Sequence, residues 1–364
     1  MTSAIARLND FGQSPWYDNL TRTLVTSGGL QLLIDDDGIR GVTSNPTIFE
    51  KAMAEGDEYD EELKQCAAEG LSIEESYWRL VLGDVGHAAD LFTPLYRSTE
   101  GHDGFVSVEV APDLAHDTGH TVEQARSLHD RVDRANVMIK IPATQDGISA
   151  ITANLSAGIN TNITLIFALD RYAEVIDAYF EGLERHAAAG GDLAKVSSVA
   201  SFFVSRVDTE TDRRLPEGHP LRGRVGVANA KLAYELFQER FQGPRWEALA
   251  AQGAQVQRPL WASTSTKNPA YSPTLYVYEL VGKHTVNTLA PASIEVLHGG
   301  DPGLRPDTIE DDVASAHQVM EDLATAGIDF ADVTATLERE GVASFSTSFQ
   351  DALKTLEKQR TELT

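Results

Sequence analysis

The sequence predicts an α/β fold, namely a single (β/α)8 barrel of the TIM type with additional helices. Short, mostly apolar runs that favour β-strands alternate with longer segments of helical periodicity along the 364 residues. A repeated strand–helix order predicts a parallel sheet with right-handed crossovers. Eight such strands match a closed barrel, and a chain of this length can fold as one barrel domain with insertions.

The eight predicted strands are short and largely apolar, and several end in a hydroxyl, amide or charged residue. Continuous apolar runs are typical of strands that are buried on both faces of a parallel sheet. The runs are Pro15–Asp18, Ile39–Ser44, Phe105–Val110, Val137–Ile141, Asn162–Phe167, Val196–Val204, Arg258–Ser263 and Thr285–Leu289.

Helical periodicity fills most of the intervening sequence. Ser72 and Glu75 have the spacing of a capping box, which predicts that one helix begins at Ile73. The predicted helices are Tyr59–Ala68, Ile73–Leu91, Val122–Arg134, Arg171–Ala189, Val225–Phe241, Thr308–Ala326 and Phe330–Lys358.

An open doubly wound sheet is the alternative arrangement of the same elements. A nucleotide-binding sheet of that kind usually has a glycine fingerprint after its first strand, whereas Gly28 and Gly29 lie in a loop. The polar segment Thr209–Arg224 predicts a surface insertion. The sequence after Pro306 predicts a helical C-terminal extension on the outside of the barrel, and we expect residues 1–364 to form one domain.

Composition excludes several classes of protein. The net charge is −25 and there is no basic block, so the chain does not have the pattern of a nucleic-acid-binding protein. Cys66 is the single cysteine, which excludes an intrachain disulfide, and no Cys/His spacing indicates a zinc site. Residues 1–10 have no apolar signal-peptide core and no run is long enough to span a bilayer, so we expect a cytoplasmic protein without a membrane partner.

Lys140 is the first candidate for chemistry, because it lies within the apolar run Val137–Ile141. Burying an ammonium group is costly unless its charge is paired or lost, and desolvation favours the neutral, nucleophilic amine. A lysine at a strand end whose amine reaches solvent is the alternative interpretation.

Two carboxylates occupy similar positions, Asp18 after the first run and Glu109 within the third. An acid in an apolar run is either paired or acts as an acid or base. Asp18 could instead cap a helix that begins before Leu20, and Glu109 could be the structural partner of an arginine.

Neutral polar residues end other strands, and the cations Arg206 and Lys267 follow the sixth and seventh strands. Asn162 and Thr164 alternate with apolar residues, which places them on one face of their strand. After the seventh strand comes a loop of hydroxyls, amides and Lys267, a plausible phosphate-binding segment in a barrel of this type. Each of these residues, taken singly, could equally belong to a turn, a cap or a solvated loop.

Several of these segments together resemble transaldolases, over nearly the whole chain. Gly41–Phe49 (GVTSNPTIF) is similar to the family's Thr-Thr-Asn-Pro motif, and Val137–Thr144 (VMIKIPAT) is similar to its Schiff-base lysine segment. Gly158–Phe167 (GINTNITLIF) resembles the fifth-strand motif, and Trp261–Pro269 (WASTSTKNP) resembles a variant found in longer bacterial forms. The sequence departs from the family at two points, where Lys267 replaces an arginine and where a phenylalanine replaces the proline after Ser201.

The resemblance implies a Schiff-base mechanism. Lys140 would form the imine with a ketose carbonyl, and Asp18 would take and return the proton of the hydroxyl at the bond being broken. Glu109 and Thr164 would hold a water that relays protons during imine formation. The resemblance implies substrate contacts from Thr43, Asn45, Asn162, Ser201 and Phe203, and phosphate contacts from Arg206, Ser263, Ser265 and Lys267.

The implied activity is transfer of a dihydroxyacetone unit between sugar phosphates, with no metal and no organic cofactor. The resemblance leaves the oligomeric state open between monomer and homodimer. A fructose 6-phosphate aldolase on the same fold is the nearest alternative, but it tends to have glutamine and tyrosine where this chain has Glu109 and Phe203. A catalytically silent sugar-phosphate-binding protein and a barrel isomerase with a glutamate base are the others.

Overall fold

The computed structural model describes residues 3–300 and 303–363. Its strands form a closed barrel in chain order, and all neighbouring pairs are parallel, including β8 with β1. The predicted (β/α)8 fold is therefore confirmed. The strands are β1 (Gln13–Tyr17), β2 (Gly41–Val42), β3 (Phe105–Glu109), β4 (Val137–Pro142), β5 (Thr161–Ile166), β6 (Ser198–Phe203), β7 (Arg258–Ala262) and β8 (Thr285–Leu289).

Each predicted run overlaps one strand, and the largest difference is at β2. The run Ile39–Ser44 forms only two residues of strand, because the backbone turns away after Val42 to begin a helix capped by Asn45. Ser44 still contacts the barrel, since its hydroxyl donates to the carbonyl of Ser107 at 2.8 Å. The short strand thus delivers Thr43, Ser44 and Asn45 to the carboxyl end of the barrel.

The helices surround the barrel and extend beyond the predicted set. The capping box of Ser72 and Glu75 is present at the start of a helix that continues to Ser98. The described residues form α1 (Ala4–Asp10), α2 (Arg22–Thr26), α3 (Gly29–Asp37), α4 (Pro46–Ala54), α5 (Asp60–Ala68), α6 (Ile73–Ser98), α7 (Thr118–Val132), α8 (Gln145–Ser156), α9 (Leu169–Ala188), α10 (Ser205–Arg214), α11 (Val225–Arg240), α12 (Gly243–Ala250), α13 (Leu275–Tyr278), α14 (Pro291–His298), α15 (Val313–Thr325) and α16 (Phe330–Leu363).

Helix α8 shows why sequence patterns missed part of this set. It contains a glycine and several serine, threonine, asparagine and isoleucine residues, which have weak intrinsic helix propensity. Thr144 caps its first turn, and half of its residues are buried against neighbouring elements. Tertiary packing therefore stabilises a helix that local propensity does not predict.

Strand β5 contains a bulge near its carboxyl end. Its register with β6 shifts between Ile163 and Ile166, and Leu165 has a φ of +59°. A bulge bends a strand and redirects its side chains, and such features are frequent next to active sites. Here the bulge places Leu165 against α16, where a Cβ on Gly341 would lie 2.9 Å from its Cδ2 atom.

The C-terminal helix α16 crosses the carboxyl end of the barrel. The prediction that the helices after Pro306 all pack on the outside is wrong for α16, because its Phe345 lines the cavity at this end. The amphipathic pattern of a helix shows that one face is buried but not which surface buries it.

Residues 209–224, predicted as a surface insertion, complete α10, where Thr211 is buried, and then form irregular turns in which Leu215 and Leu221 are buried. The division of the chain into domains stays a prediction. Among residues 3–300 and 303–363, no helix combines the length and the apolar character that crossing a bilayer requires.

Candidate active site

A cavity of about 300 Å³ lies at the carboxyl end of the barrel. This is the end at which barrel enzymes carry their active sites. Of the predicted site residues, all but Glu109 and Asn162 line it: Asp18, Thr43, Asn45, Lys140, Thr164, Ser201, Phe203, Arg206, Ser263, Ser265 and Lys267.

Lys140 is held inside the cavity by a buried ion pair. It lies opposite Glu109 in the register of β4 and β3, and its Nζ donates to Glu109 Oε2 at 3.0 Å and to the Ser44 carbonyl at 3.3 Å. The two side chains are only 7% and 2% exposed. This geometry excludes the alternative in which the amine of Lys140 reaches open solvent.

Burial also affects the acid of this pair. Desolvation raises the pKa of Glu109, although the charges of Lys140 and Arg206 oppose the shift. The Oε1 atom of Glu109 and the Oγ1 atom of Thr164 are buried and have no hydrogen-bond partner among the described residues. Buried polar atoms are normally hydrogen-bonded, so these two oxygens are available to a bound water or substrate.

Asp18 lies on another side of the cavity, directly after β1. Its Oδ1 accepts a hydrogen bond of 2.7 Å from the Thr43 hydroxyl. The nearby helix α2 is capped by Thr21, whose side chain accepts from the amide of Leu24. The alternative role of Asp18 as a helix cap is therefore wrong, and its half-buried carboxylate faces the cavity.

Asn162 lies beneath the cavity floor. Its amide donates to Ser107 Oγ at 3.0 Å, and its Oδ1 accepts a hydrogen bond of 2.7 Å from Ser201 Oγ. Asn162 is fully buried, whereas Ser201 reaches the cavity. In this structure Asn162 therefore orients Ser201.

Cations and hydroxyls converge on the side of the cavity formed by β6 and β7. Arg206 follows β6, and burial lowers its pKa against the opposing charges of Glu109 and Asp18. Ser263 follows β7 and its hydroxyl lies 2.9 Å from that of Ser205. Together with Ser265 and Lys267 these residues can bind an anion, because ammonium, guanidinium and hydroxyl groups all donate hydrogen bonds to phosphate oxygens.

Comparison with known proteins identifies the family of this chain. A family model described as Transaldolase/Fructose-6-phosphate aldolase matches residues 15–356. The chain belongs to this family.

Curated relatives named Transaldolase match almost the full chain. The protein of Saccharopolyspora erythraea is 48% identical over 360 residues, which cover 98% of each chain. That of Acidothermus cellulolyticus is 48% identical over 371 residues, covering 100% of this chain and 99% of the relative. That of Thermobifida fusca is 47% identical over 366 residues, covering 99% of both. The predicted family, and an enzyme of the transaldolase type, are therefore confirmed.

The cavity is also lined by residues to which the sequence analysis gave no role. Thr47 and Thr264 line the cavity from within the motifs Gly41–Phe49 and Trp261–Pro269, and Lys51 lines it from just after the first of these motifs. The Thr264 hydroxyl donates to the carbonyl of Thr288 at 2.8 Å, which ties the loop after β7 to β8. Proximity to a motif could have indicated these residues, whereas Phe345 is distant from every motif.

A buried carboxylate lies behind the side of the cavity that carries Arg206 and Lys267. Asp208 accepts hydrogen bonds of 2.7 Å from the amide of Gly226 and from the hydroxyl of Tyr276. Burial raises its pKa to about 6, although both hydrogen bonds oppose the shift. Asp208 follows Arg206 on α10, and Tyr276 follows the Lys267 loop, so this contact joins the two segments that carry the cations.

Proposed function

We propose that the protein is a transaldolase that transfers a dihydroxyacetone unit through a Schiff base on Lys140. The donor would be sedoheptulose 7-phosphate or fructose 6-phosphate, and the acceptor glyceraldehyde 3-phosphate or erythrose 4-phosphate, as in the non-oxidative pentose phosphate pathway. The observation that supports this most strongly is the buried amine of Lys140 in a cavity that is also lined by a carboxylate and three further cationic residues. The cytoplasmic location stays a prediction.

Imine formation needs a nucleophilic amine and a route for protons. The Lys140 amine adds to the C2 carbonyl of the ketose, and the resulting carbinolamine loses water to give the imine. Glu109 has a raised pKa and hydrogen-bonds to Lys140, so it can accept and return a proton. Its unpartnered Oε1 and the Thr164 hydroxyl are the groups that would hold the relaying water.

Cleavage then uses the imine as an electron sink. Asp18 takes the proton of the C4 hydroxyl, the C3–C4 bond breaks, and its electron pair moves to the iminium nitrogen to give an enamine. The aldose phosphate leaves as an aldehyde. An acceptor aldehyde reverses these steps, and the Thr43 hydroxyl keeps the Asp18 carboxylate oriented throughout.

Phosphate binding at a distance from the breaking bond would position the sugar. Arg206, Ser263, Ser265 and Lys267 would hold the phosphate, and this remote binding energy orients the reacting carbons. Lys267 contributes a point charge without the paired hydrogen bonds of an arginine.

Reduction with borohydride in the presence of fructose 6-phosphate tests the proposal. We expect one three-carbon adduct at Lys140, located by peptide mass spectrometry, and no adduct in a Lys140→Met variant whose circular dichroism shows a folded barrel. Lys195→Met is the matched control, because Lys195 is exposed and pairs with Asp192 outside the cavity. An adduct that persists in Lys140→Met would contradict the assignment.

A second assay separates transfer from simple cleavage. Fructose 6-phosphate supplied without an acceptor aldehyde should give little free dihydroxyacetone after the first turnover. Sustained release under these conditions would identify the protein as an aldolase instead.

A further inference from the structure

Phe345 is an aromatic residue of the C-terminal helix that reaches the proposed Schiff-base site. It lines the cavity and is 4% exposed. Its ring centroid lies 5.7 Å from Lys140 Nζ and 5.8 Å from the guanidinium carbon of Arg206. The ring is thus close to both the proposed nucleophile and one of the proposed phosphate ligands.

We propose that Phe345 is a specificity-determining residue that covers the Lys140 Schiff base and reduces loss of the bound three-carbon unit to water. This inference rests on the proposed transaldolase function. It assigns to α16, which lies outside the strand–helix repeat, a direct part in directing the intermediate towards an acceptor sugar.

A close approach of the α16 backbone to the Leu165 and Arg206 side chains brings Phe345 to this position. Gly341 lies one helical turn before Phe345, and a Cβ there would be 2.9 Å from Leu165 Cδ2 and 3.5 Å from a terminal nitrogen of Arg206. A side chain at position 341 would therefore require either the Leu165 side chain or α16 itself to shift. Glycine weakens a helix interior, but here it allows the helix to rest directly on the bulge of β5.

Hydrogen bonds on both sides of Phe345 fix the helix. Before it, Arg214 donates to Asp332 at 2.6 Å. After it, both Ser346 and Gln350 donate to the carboxylate of Asp113.

A further contact joins the hydroxyls of Thr47 and Ser348, which lie 2.8 Å apart. These contacts join α16 to the segments that follow β2, β3 and β6. The ring of Phe345 is therefore presented by a rigid element, not by a loop.

The enamine on Lys140 has two possible fates. It can attack an acceptor aldehyde, which forms the new C3–C4 bond. Alternatively, C3 takes a proton, water adds at C2, and the C–N bond breaks to release dihydroxyacetone and the free amine. The second route needs a proton donor and a water next to the imine, and a phenyl ring provides neither.

The ring also favours the charged form of the intermediate. A cation within about 6 Å of an aromatic centroid is attracted by the ring, most strongly where water is excluded. The protonated imine carries its charge at the former Nζ of Lys140, so Phe345 would stabilise it there. The same ring also contacts the Arg206 guanidinium and would lessen the repulsion between the two cations.

Substitution of Phe345 tests this inference through a ratio of products. With fructose 6-phosphate as donor and erythrose 4-phosphate as acceptor, dihydroxyacetone released and sedoheptulose 7-phosphate formed are measured together. We expect the ratio of release to transfer to rise by about tenfold in Phe345→Ala, because removal of the ring lets water reach the imine, and only the release route needs that water. Phe345→Leu, which keeps an apolar side chain, should show a smaller rise.

Phe349→Leu is the matched control. Phe349 lies one turn further along α16, is equally buried, and packs on Tyr77 with ring centroids 5.1 Å apart, away from the residues that line the cavity. It should lower stability without changing the product ratio. If Phe345→Ala does not fold, Phe345→Leu provides the second test, because it removes the aromatic ring while keeping an apolar side chain at the same position.

An unchanged product ratio in folded Phe345→Ala, or in folded Phe345→Leu where the alanine variant does not fold, would overturn the inference. Borohydride trapping distinguishes this failure from failure of the proposed function. If the unaltered protein forms no adduct at Lys140, the Schiff-base mechanism itself is wrong. If it forms the adduct and the ratio does not respond to Phe345, only the role of the ring is wrong.

Discussion

The buried ion pair between Lys140 and Glu109 allows a quantitative test of the site's energetics. We consider Lys140→Met, Glu109→Gln and the double variant, because each replacement nearly preserves side-chain volume. Two unit charges 3.0 Å apart attract each other by about 5 kcal/mol at the effective dielectric constant of about 20 that suits protein sites. Removal of one member of a buried pair typically costs about 3–5 kcal/mol, since the other charge stays buried without its partner.

We therefore expect each single variant to lose about 3 kcal/mol of unfolding free energy, and the double variant to lose much less than the sum. The pKa of Glu109 is already raised by burial. Without Lys140 this carboxyl would retain its proton to still higher pH in the folded state. The folded state of Lys140→Met then binds a proton that the unfolded chain has lost, so its stability should fall as pH rises.

Urea denaturation at about pH 7.5, followed by tryptophan fluorescence and circular dichroism, measures this coupling. The exposed pair Lys195–Asp192 is the control, because its atoms are 3.3 Å apart but the side chains are 81% and 54% exposed. A double-mutant cycle there should give less than about 1 kcal/mol. If the two losses at Lys140 and Glu109 simply add, the pair does not stabilise either charge and the reasoning fails.

Two further predictions concern a buried carboxylate and a close packing contact. Asp208 has a pKa of about 6 in the folded protein, so its ionisation between about pH 5 and pH 7.5 should lower the unfolding free energy by about 1.4 kcal/mol. In urea unfolding, Asp208→Asn should lose about 1.4 kcal/mol less than the unaltered protein over this pH range. Equal losses in the two proteins would contradict the assignment. Gly41→Ala should lower the unfolding free energy by about 2 kcal/mol, because its Cβ would lie 2.6 Å from the ring of Trp16. Gly86→Ala, where no atom lies within 4 Å of the new Cβ, should be neutral or stabilising in the same assay.

Sequence reasoning identified the barrel and most of the cavity lining, for a physical reason. Apolar strands are visible in sequence because both faces of a parallel barrel are buried, and the carboxyl ends of such strands must converge. Residues at those ends, such as Asp18, Lys140 and Ser201, could therefore be grouped from the amino-acid sequence alone. The motifs that resemble transaldolases added roles to that grouping.

The position of a residue along the barrel axis, and packing between segments that are distant in sequence, could not be predicted in the same way. Asn162 lies beneath Ser201, and not beside it, because its position along the barrel axis depends on the stagger of neighbouring strands. Helix α8 depends on packing against its neighbours, and the surface covered by α16 depends on contacts with segments that are distant in sequence. A periodic pattern of apolar residues contains no information about axial position or about which distant segment an element packs against.

The placement of α16 constrains how this protein can vary. The helix touches the segments that follow β2, β3, β5 and β6, through Ser348, Ser346, Glu338 and Asp332 respectively. An insertion or deletion in any of these four connections would tilt the helix and disturb the other three at the same time. Length changes should therefore be tolerated best at the amino-terminal rim of the barrel, where a connection can grow without altering the helix that overlies the mouth.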